Sequence, residues 1–307
     1  MWSAAQTEKL KAVLDPKGQP VRTRIAPTPS GFLHIGNAFS FIFTWLIARE
    51  RGGTVLLRID DLDHQRKRAE YVQDIFDSLE WLGLDWDSGP AGPDDFERRF
   101  SQVHRMDLYL EALEQLRLSG RLFACSCSRS ARKEGLPHKC DCRAKQNSFQ
   151  GLDQTWRFHI EDDCVVRVTE TGKPITVHLG ETQGSFVVRK RDGSPAYQIA
   201  SIVDDNHFEI DLIVRGVDLL ESSAMQLKIQ DALDLSRTFQ FLHHDLITDP
   251  LGAKLSKSSG ATALKTLRNA QDASHVFREF SEWIGLAGRP CENLGQAQER
   301  FHESFYP

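Results

Sequence analysis

The stretch from Arg22 to Ile59 restricts the fold more than any other part of the chain. Arg22-Thr-Arg-Ile-Ala26 is a short strand-like run closed by Pro27-Thr28-Pro29, where neither a ladder nor a helix continues easily. Gly31 and Gly36 then flank His34, so a tight turn from strand to helix is expected. Residues 36–50 carry Phe39, Phe41, Ile42, Phe43, Trp45, Leu46 and Ile47, apolar enough for a well-buried helix. Gly52-Gly53 stops it, and Val55-Leu-Leu-Arg-Ile59 reads as a buried strand. A strand–helix–strand unit with glycines at its first strand–helix junction opens a doubly wound nucleotide-binding α/β domain.

A second segment, Lys254-Leu-Ser-Lys-Ser258, follows His34 by about 220 residues and sits in a loop preceded by Gly252. Each segment alone is weak, but in this order and separation they describe a site for ATP attacked at its α-phosphate. A helix N-terminus offers unpaired N–H groups to anionic oxygens, and Gly36 lets backbone approach the nucleotide. His34 and Lys257 are placed to neutralise charge developing on departing pyrophosphate. Lys254 joins the expected ATP-binding set. Mg2+ should accompany ATP, held by phosphates and water rather than by a carboxylate cage.

Apolar spacing at Val72, Ile75, Phe76, Leu79 and Leu82 predicts a helix over 69–83, and another is expected over 98–119. From 120 to 195 the texture changes to short runs at 156–160, 164–168, 175–178 and 186–189, as in a small antiparallel sheet. After Pro195 come a helix over 197–203, a buried strand over 210–215, a helix over 224–235, a strand-like 239–248 and an amphipathic helix over 271–286. The expected fold class is therefore α/β, a Rossmann-type doubly wound parallel sheet carrying an inserted α+β subdomain. Its expected parts are an arm (1–20), a first half of the catalytic domain (21–119), the insertion (120–195), the second half (196–245), and the lysine loop with C-terminal helices (246–307). Residues 288–307 give no clear signal.

Cys125, Cys127, Cys140 and Cys142 form two C-x-C pairs separated by twelve residues, with His138 between them. Thiolates and a neutral imidazole suit tetrahedral Zn2+, and this spacing favours a structural zinc over disulfides. No apolar run reaches the roughly 18 residues of a membrane span, and the first twenty residues lack a signal core. Cytoplasmic residence without a membrane partner is the expectation. The net charge of −5 does not advertise a nucleic-acid binder, so any such contact must come from a local patch, for which 98–145 is richest in Arg and Lys.

Thr23-Arg-Ile-Ala-Pro-Thr-Pro-Ser-Gly-Phe-Leu-His-Ile-Gly36, Leu57-Arg-Ile-Asp-Asp61, Gly193-Ser-Pro-Ala-Tyr197, Leu212-Ile-Val-Arg-Gly216 and Lys254-Leu-Ser-Lys-Ser258 together resemble the catalytic core of glutamyl-tRNA synthetases. These are class I enzymes with "HIGH" and "KMSKS" signatures, and the resemblance runs from about 20 to 265. It implies a ligase that activates L-glutamate with ATP and passes it to tRNA. The resemblance adds Asn37 to the ATP-binding set, in the place of the second histidine of a "HIGH" signature. It also implies a glutamate pocket of Arg24, Ala26, Thr28, Asp60, Tyr197 and Arg215, the two arginines facing carboxylate. Asp60 departs from the family, which usually places Glu there for the α-ammonium; the loss of one methylene shortens the reach by about 1.3–1.5 Å. Ser201 stands where relatives often carry a polar amide.

The length and cysteine pattern are similar to a short form of this family, the glutamyl-queuosine tRNA(Asp) synthetases, which end before an anticodon-binding domain. That likeness implies a favoured acceptor, the queuosine base of tRNA(Asp), and a monomer. It also puts the zinc ligands at Cys125, Cys127, His138 and Cys142, with His in the place of a Tyr and Cys140 as the rival fourth ligand. A paralogue serving another acceptor and a non-catalytic RNA-binding relic remain as alternatives.

Overall fold

The computed structural model describes every residue except 1–3, 15–17, 128–139, 152, 171–172, 248–262, 287–288 and 306–307. In chain order come α1 (Ala4–Val13), β1 (Arg22–Ile25), α2 (Ile35–Glu50), β2 (Thr54–Leu57), α3 (Ala69–Trp81), the single turn α4 (Pro93–Asp95) and α5 (Met106–Leu118). Next are β3 (Leu122–Cys125), β4 (Thr155–Phe158), β5 (Val166–Glu170), β6 (Lys173–Val177), α6 (Leu179–Thr182), β7 (Phe186–Arg189) and α7 (Tyr197–His207). The chain continues through β8 (Leu212–Gly216), α8 (Leu220–Leu233), β9 (Gln240–His244), α9 (Leu264–Ala270), α10 (Ser274–Trp283) and α11 (Leu294–Phe305). Two units result: Met1–Gln102 with Ile210–Val217 and Phe239–Pro307, and Val103–Glu209 with Asp218–Thr238.

The first unit holds the parallel strands. β1 pairs with β2 from Arg22 opposite Thr54 to Ile25 opposite Leu57, and β8 pairs with β9 from Leu212 opposite Gln240 to Gly216 opposite His244. The Asp211 amide donates to the Arg22 carbonyl at 2.8 Å, and the Arg22 amide returns a bond to the Asp211 carboxylate at 3.1 Å. Those bonds tie the start of β8 to the start of β1. The turn into β2 demands glycine twice. Gly52 has φ +56°, and a Cβ on Gly53 would fall 2.1 Å from the Val21 carbonyl oxygen.

Helix α2 follows from its composition: 12 of its 16 residues are buried, so it is enclosed rather than amphipathic. Aromatic side chains from the C-terminal helices close over it, with Phe39 against Phe280 at 5.7 Å, Phe43 against Trp283 at 5.7 Å and Phe43 against Phe301 at 6.3 Å between ring centroids. Residues 288–307 thus include a helix, α11, whose Ala297 and Phe301 are buried against this core. No described helix is long and apolar enough to cross a membrane.

One expected helix, 98–119, is broken. Residues 96–100 form a π-type turn, Ser101 is extended (φ −53°, ψ 142°), 102–105 form a 3-10 turn, and α5 starts at Met106. The cause is a distant carboxylate. Asp61, 1% exposed, accepts the Ser101 hydroxyl at 2.6 Å, the Gln102 amide at 2.8 Å and the Lys67 ammonium at 3.0 Å. A buried charge needs that many donors, and a continuous helix would withhold the Gln102 amide from it.

The second unit contains an antiparallel sheet in the order β3-β4-β7 and an antiparallel β5–β6 hairpin, with α5, α7 and α8. Its interior holds an ion pair. Arg105 donates to both oxygens of Asp204 at 2.7 and 3.1 Å, and the Tyr109 hydroxyl adds a third bond at 2.7 Å. Asp204 is fully buried, so Arg105→Met should cost about 3–5 kcal/mol in urea denaturation, whereas Arg105→Met with Asp204→Leu should recover most of it.

Candidate functional site

At the end of β1 the chain turns through Pro27 and Pro29, with the Ser30 amide donating to the Thr28 carbonyl at 2.9 Å. His34 is the extended residue (φ −121°, ψ 169°) just ahead of α2. Its amide donates to the Asn37 Oδ1 at 3.1 Å, so Asn37 caps the helix from within its first turn. Gly36 is buried in that turn, and the N-terminal N–H groups of α2 supply the donors an anion needs. The backbone just before His34 is fixed twice: the Leu33 amide donates to Asp74 at 3.0 Å, and the Leu33 carbonyl accepts the Leu264 amide at 2.8 Å. Ala263 also forms an antiparallel bridge with His34. Lys254 and Lys257 lie outside the described residues.

The structure brings Arg24, Ala26, Thr28, Asp60 and Arg215 to the C-terminal ends of β1, β2 and β8. Arg24 is 6% exposed and donates to the Val214 carbonyl at 3.4 Å, next to Arg215 in β8. Arg215, 4% exposed, lies with its guanidinium 5.0 Å from the Phe241 ring centroid. The Asp60 amide donates to the Pro27 carbonyl at 2.9 Å, which sets this carboxylate beside the turn that carries Ala26 and Thr28. Arg58 grips Asp60 bidentately, at 2.7 and 3.2 Å. Sequence reasoning missed Arg58, although its i, i+2 spacing from Asp60 in extended chain was a visible signal. Tyr197 belongs to the second unit, where it begins α7 and is 43% exposed; Ser201, one turn on, is buried.

The cysteine cluster is also in the second unit. Cys125 ends β3, and the Sγ atoms of Cys125, Cys127, Cys140 and Cys142 all lie within 4.8 Å of one another. Cys125 and Cys140 are 3.9 Å apart and Cys127 and Cys142 3.7 Å. Tetrahedral zinc with bonds of about 2.3 Å sets its sulfurs about 3.8 Å apart, so the four thiols fit that ion. Cys140 stands in the fourth place, and His138 lies outside the described residues. All four are free thiols.

Burial, reinforced by the neighbouring sulfurs, pushes Cys127 up to about 11 and Cys140 up to about 12. At Cys142 the effect of burial is outweighed by the Ser126 amide and the adjoining thiols, which bring it to about 7. Without a cation the set cannot ionise together. Arg191 braces the first knuckle by donating to the Ser126 and Cys127 carbonyls at 3.1 and 2.9 Å while it pairs with Asp153 at 3.1 Å.

Arg24 and Arg215 are thus two buried arginines near strand ends, and α2 starts at the His-bearing turn that follows β1. Residues 20–304 match the family of class I tRNA synthetases (E and Q), catalytic domain, and the chain belongs to it. A "Glutamyl-Q tRNA(Asp) synthetase" from Synechococcus sp. is 38% identical, over 86% of this chain and 83% of the relative. A "Glutamate--tRNA ligase 2" from Syntrophus aciditrophicus is 35% identical over 91% of this chain, which spans 59% of that protein's length. The crystal structure of a glutamate tRNA ligase from Elizabethkingia meningosepticum in complex with its amino acid superposes with a TM-score of 0.65 at 26% identity, covering 79% of this chain and 53% of that one. The fold is that of class I aminoacyl-tRNA synthetases, α/β with a parallel sheet.

Proposed function

We propose that this chain activates L-glutamate with ATP to glutamyl-adenylate and transfers the glutamyl group to the queuosine base of tRNA(Asp). The observation that carries the first half is the pair of buried arginines, Arg24 and Arg215, at adjacent strand ends beside the His34 turn. A planar guanidinium binds carboxylate in two places at once, which suits a dicarboxylic amino acid. The similarity to the Synechococcus glutamyl-Q protein, over most of both chains, supports the acceptor.

In this reading a substrate carboxylate oxygen attacks the α-phosphorus and pyrophosphate leaves, so no general base is needed. His34 and Lys257 stabilise the charge that grows on the leaving group, and Gly36, Asn37 and Lys254 hold the nucleotide. Mg2+ brought in with ATP would supply charge neutralisation at the phosphates. Asp60, steadied by Arg58, takes the α-ammonium, while Ala26 and Thr28 frame the pocket. Zn2+ on Cys125, Cys127, Cys140 and Cys142 supplies structure rather than chemistry. The acceptor hydroxyl then attacks the acyl carbon and AMP departs. A second reading, activation of a different amino acid, is favoured by the shortened Asp60 and its bidentate grip on Arg58.

ATP–pyrophosphate exchange over a panel of amino acids without tRNA separates the two. Exchange with glutamate alone is the expected result. Exchange with another amino acid would make Asp60 a specificity change, and none under any condition, tRNA included, would overturn the activation chemistry. Labelled glutamate offered to tRNA(Asp) with and without queuosine then tests the acceptor.

A further inference from the structure

The backbone of Leu33, the residue before His34, is held by two elements distant in sequence. Its amide is bound by Asp74 of α3 at 3.0 Å, and its carbonyl by the amide of Leu264, the first residue of α9, at 2.8 Å. Asp74 is 2% exposed, so its charge needs compensation inside the unit. Arg268 of α9 supplies it, reaching Asp74 Oδ1 at 3.1 Å, Asp77 Oδ2 at 3.2 Å and the Ser78 hydroxyl at 2.8 Å. One carboxylate thus binds the turn with one oxygen and α9 with the other. Contacts nearby repeat the linkage: Lys265 of α9 lies 4.5 Å from the Phe32 ring centroid, and Phe32 meets Tyr71 of α3 edge-on at 5.0 Å.

We propose that Asp74 and Arg268 are positioning residues for adenylate formation. Asp74 fixes the Leu33 backbone and through it His34 and the first turn of α2. Arg268 couples the same carboxylate to α9, so the His34 turn and α9 share one anchor. The Leu33 amide satisfies one oxygen of this buried carboxylate, and in doing so it ties the pair to the residue next to His34. This inference rests on the activation chemistry proposed above.

The test is Arg268→Gln, with Arg268→Lys and Asp74→Asn beside it. Expected for Arg268→Gln is a fall in exchange kcat of about 10- to 100-fold, in keeping with a small misplacement of reacting groups, at a glutamate KM within about twofold. Arg268→Lys should recover part of the loss. Hydrogen–deuterium exchange should rise together in peptides spanning 32–38 and 263–270. Lower thermal stability with unchanged kcat and unchanged exchange at 32–38 would overturn the proposal and leave an ordinary ion pair. If the unaltered chain shows no pyrophosphate exchange, the functional reading fails, while hydrogen exchange still decides whether Arg268 holds the His34 turn.

Discussion

Arg215→Gln should lower kcat/KM for glutamate in ATP–pyrophosphate exchange by about 100- to 1000-fold, the equivalent of about 3–4 kcal/mol for a lost buried charge–charge contact. The size of the effect follows from where Arg215 sits. It is 4% exposed with its guanidinium against Phe241, so water cannot replace it as a partner for an incoming carboxylate. Glutamine keeps one N–H pair but is shorter, and it loses both the charge and the fork. Arg215→Lys should rescue little, because a point charge neither matches a carboxylate bidentately nor stacks flat on the ring. Binding of an ATP analogue, followed by calorimetry, should stay within about threefold of the unaltered chain if Arg215 serves the amino acid alone. A loss in ATP affinity as large as that in kcat/KM would assign Arg215 to the nucleotide instead.

The second large effect concerns the cysteine cluster. Metal analysis should return about one zinc per chain, and stripping it should lower Tm by roughly 10 °C or more, since structural zinc contributes folding energy directly. Cys140→Ala should lose the metal as fully as Cys142→Ala, whereas His138→Ala should keep it if Cys140 is the fourth ligand. The opposite pattern would restore His138 to that place. Ligation requires thiolates, and burial has pushed Cys127 and Cys140 up to about 11 and 12 in the metal-free cluster. Binding therefore releases protons, and the metal should be lost progressively as pH falls. Full retention of zinc after Cys127→Ala with Cys142→Ala would defeat the cluster assignment.

The opening unit was legible because its information is local. Prolines and glycines punctuate β1, the turn and β2, and α2 is so apolar that only one environment suits it. The two C-x-C pairs were legible for a similar reason, since spacing alone brings ligands of one kind together. Two other features were not. The break at Ser101 answers to Asp61, forty residues away in sequence, and periodicity within 98–119 contains no trace of that carboxylate. Helix α11 hid for want of apolar density: Leu294, Ala297, Phe301 and Phe305 recur at helical spacing among Gln, Glu and Gly, a signal weak until α2 provides the surface it covers. Arg58 was readable as a strand residue two positions before Asp60, a spacing that puts both side chains on one side of an extended chain, yet the pairing went unread.

The enclosure of α2 bears on how such a core diverges. A rod packed on all sides cannot tilt to follow a new ligand, and its leading turn is bolted at Leu33 from both flanks. If the proposed function holds, variation in what the site accepts is channelled away from the start of α2 and onto side chains at the strand tips, where Asp60 in place of a longer acid is the kind of change the scaffold leaves open.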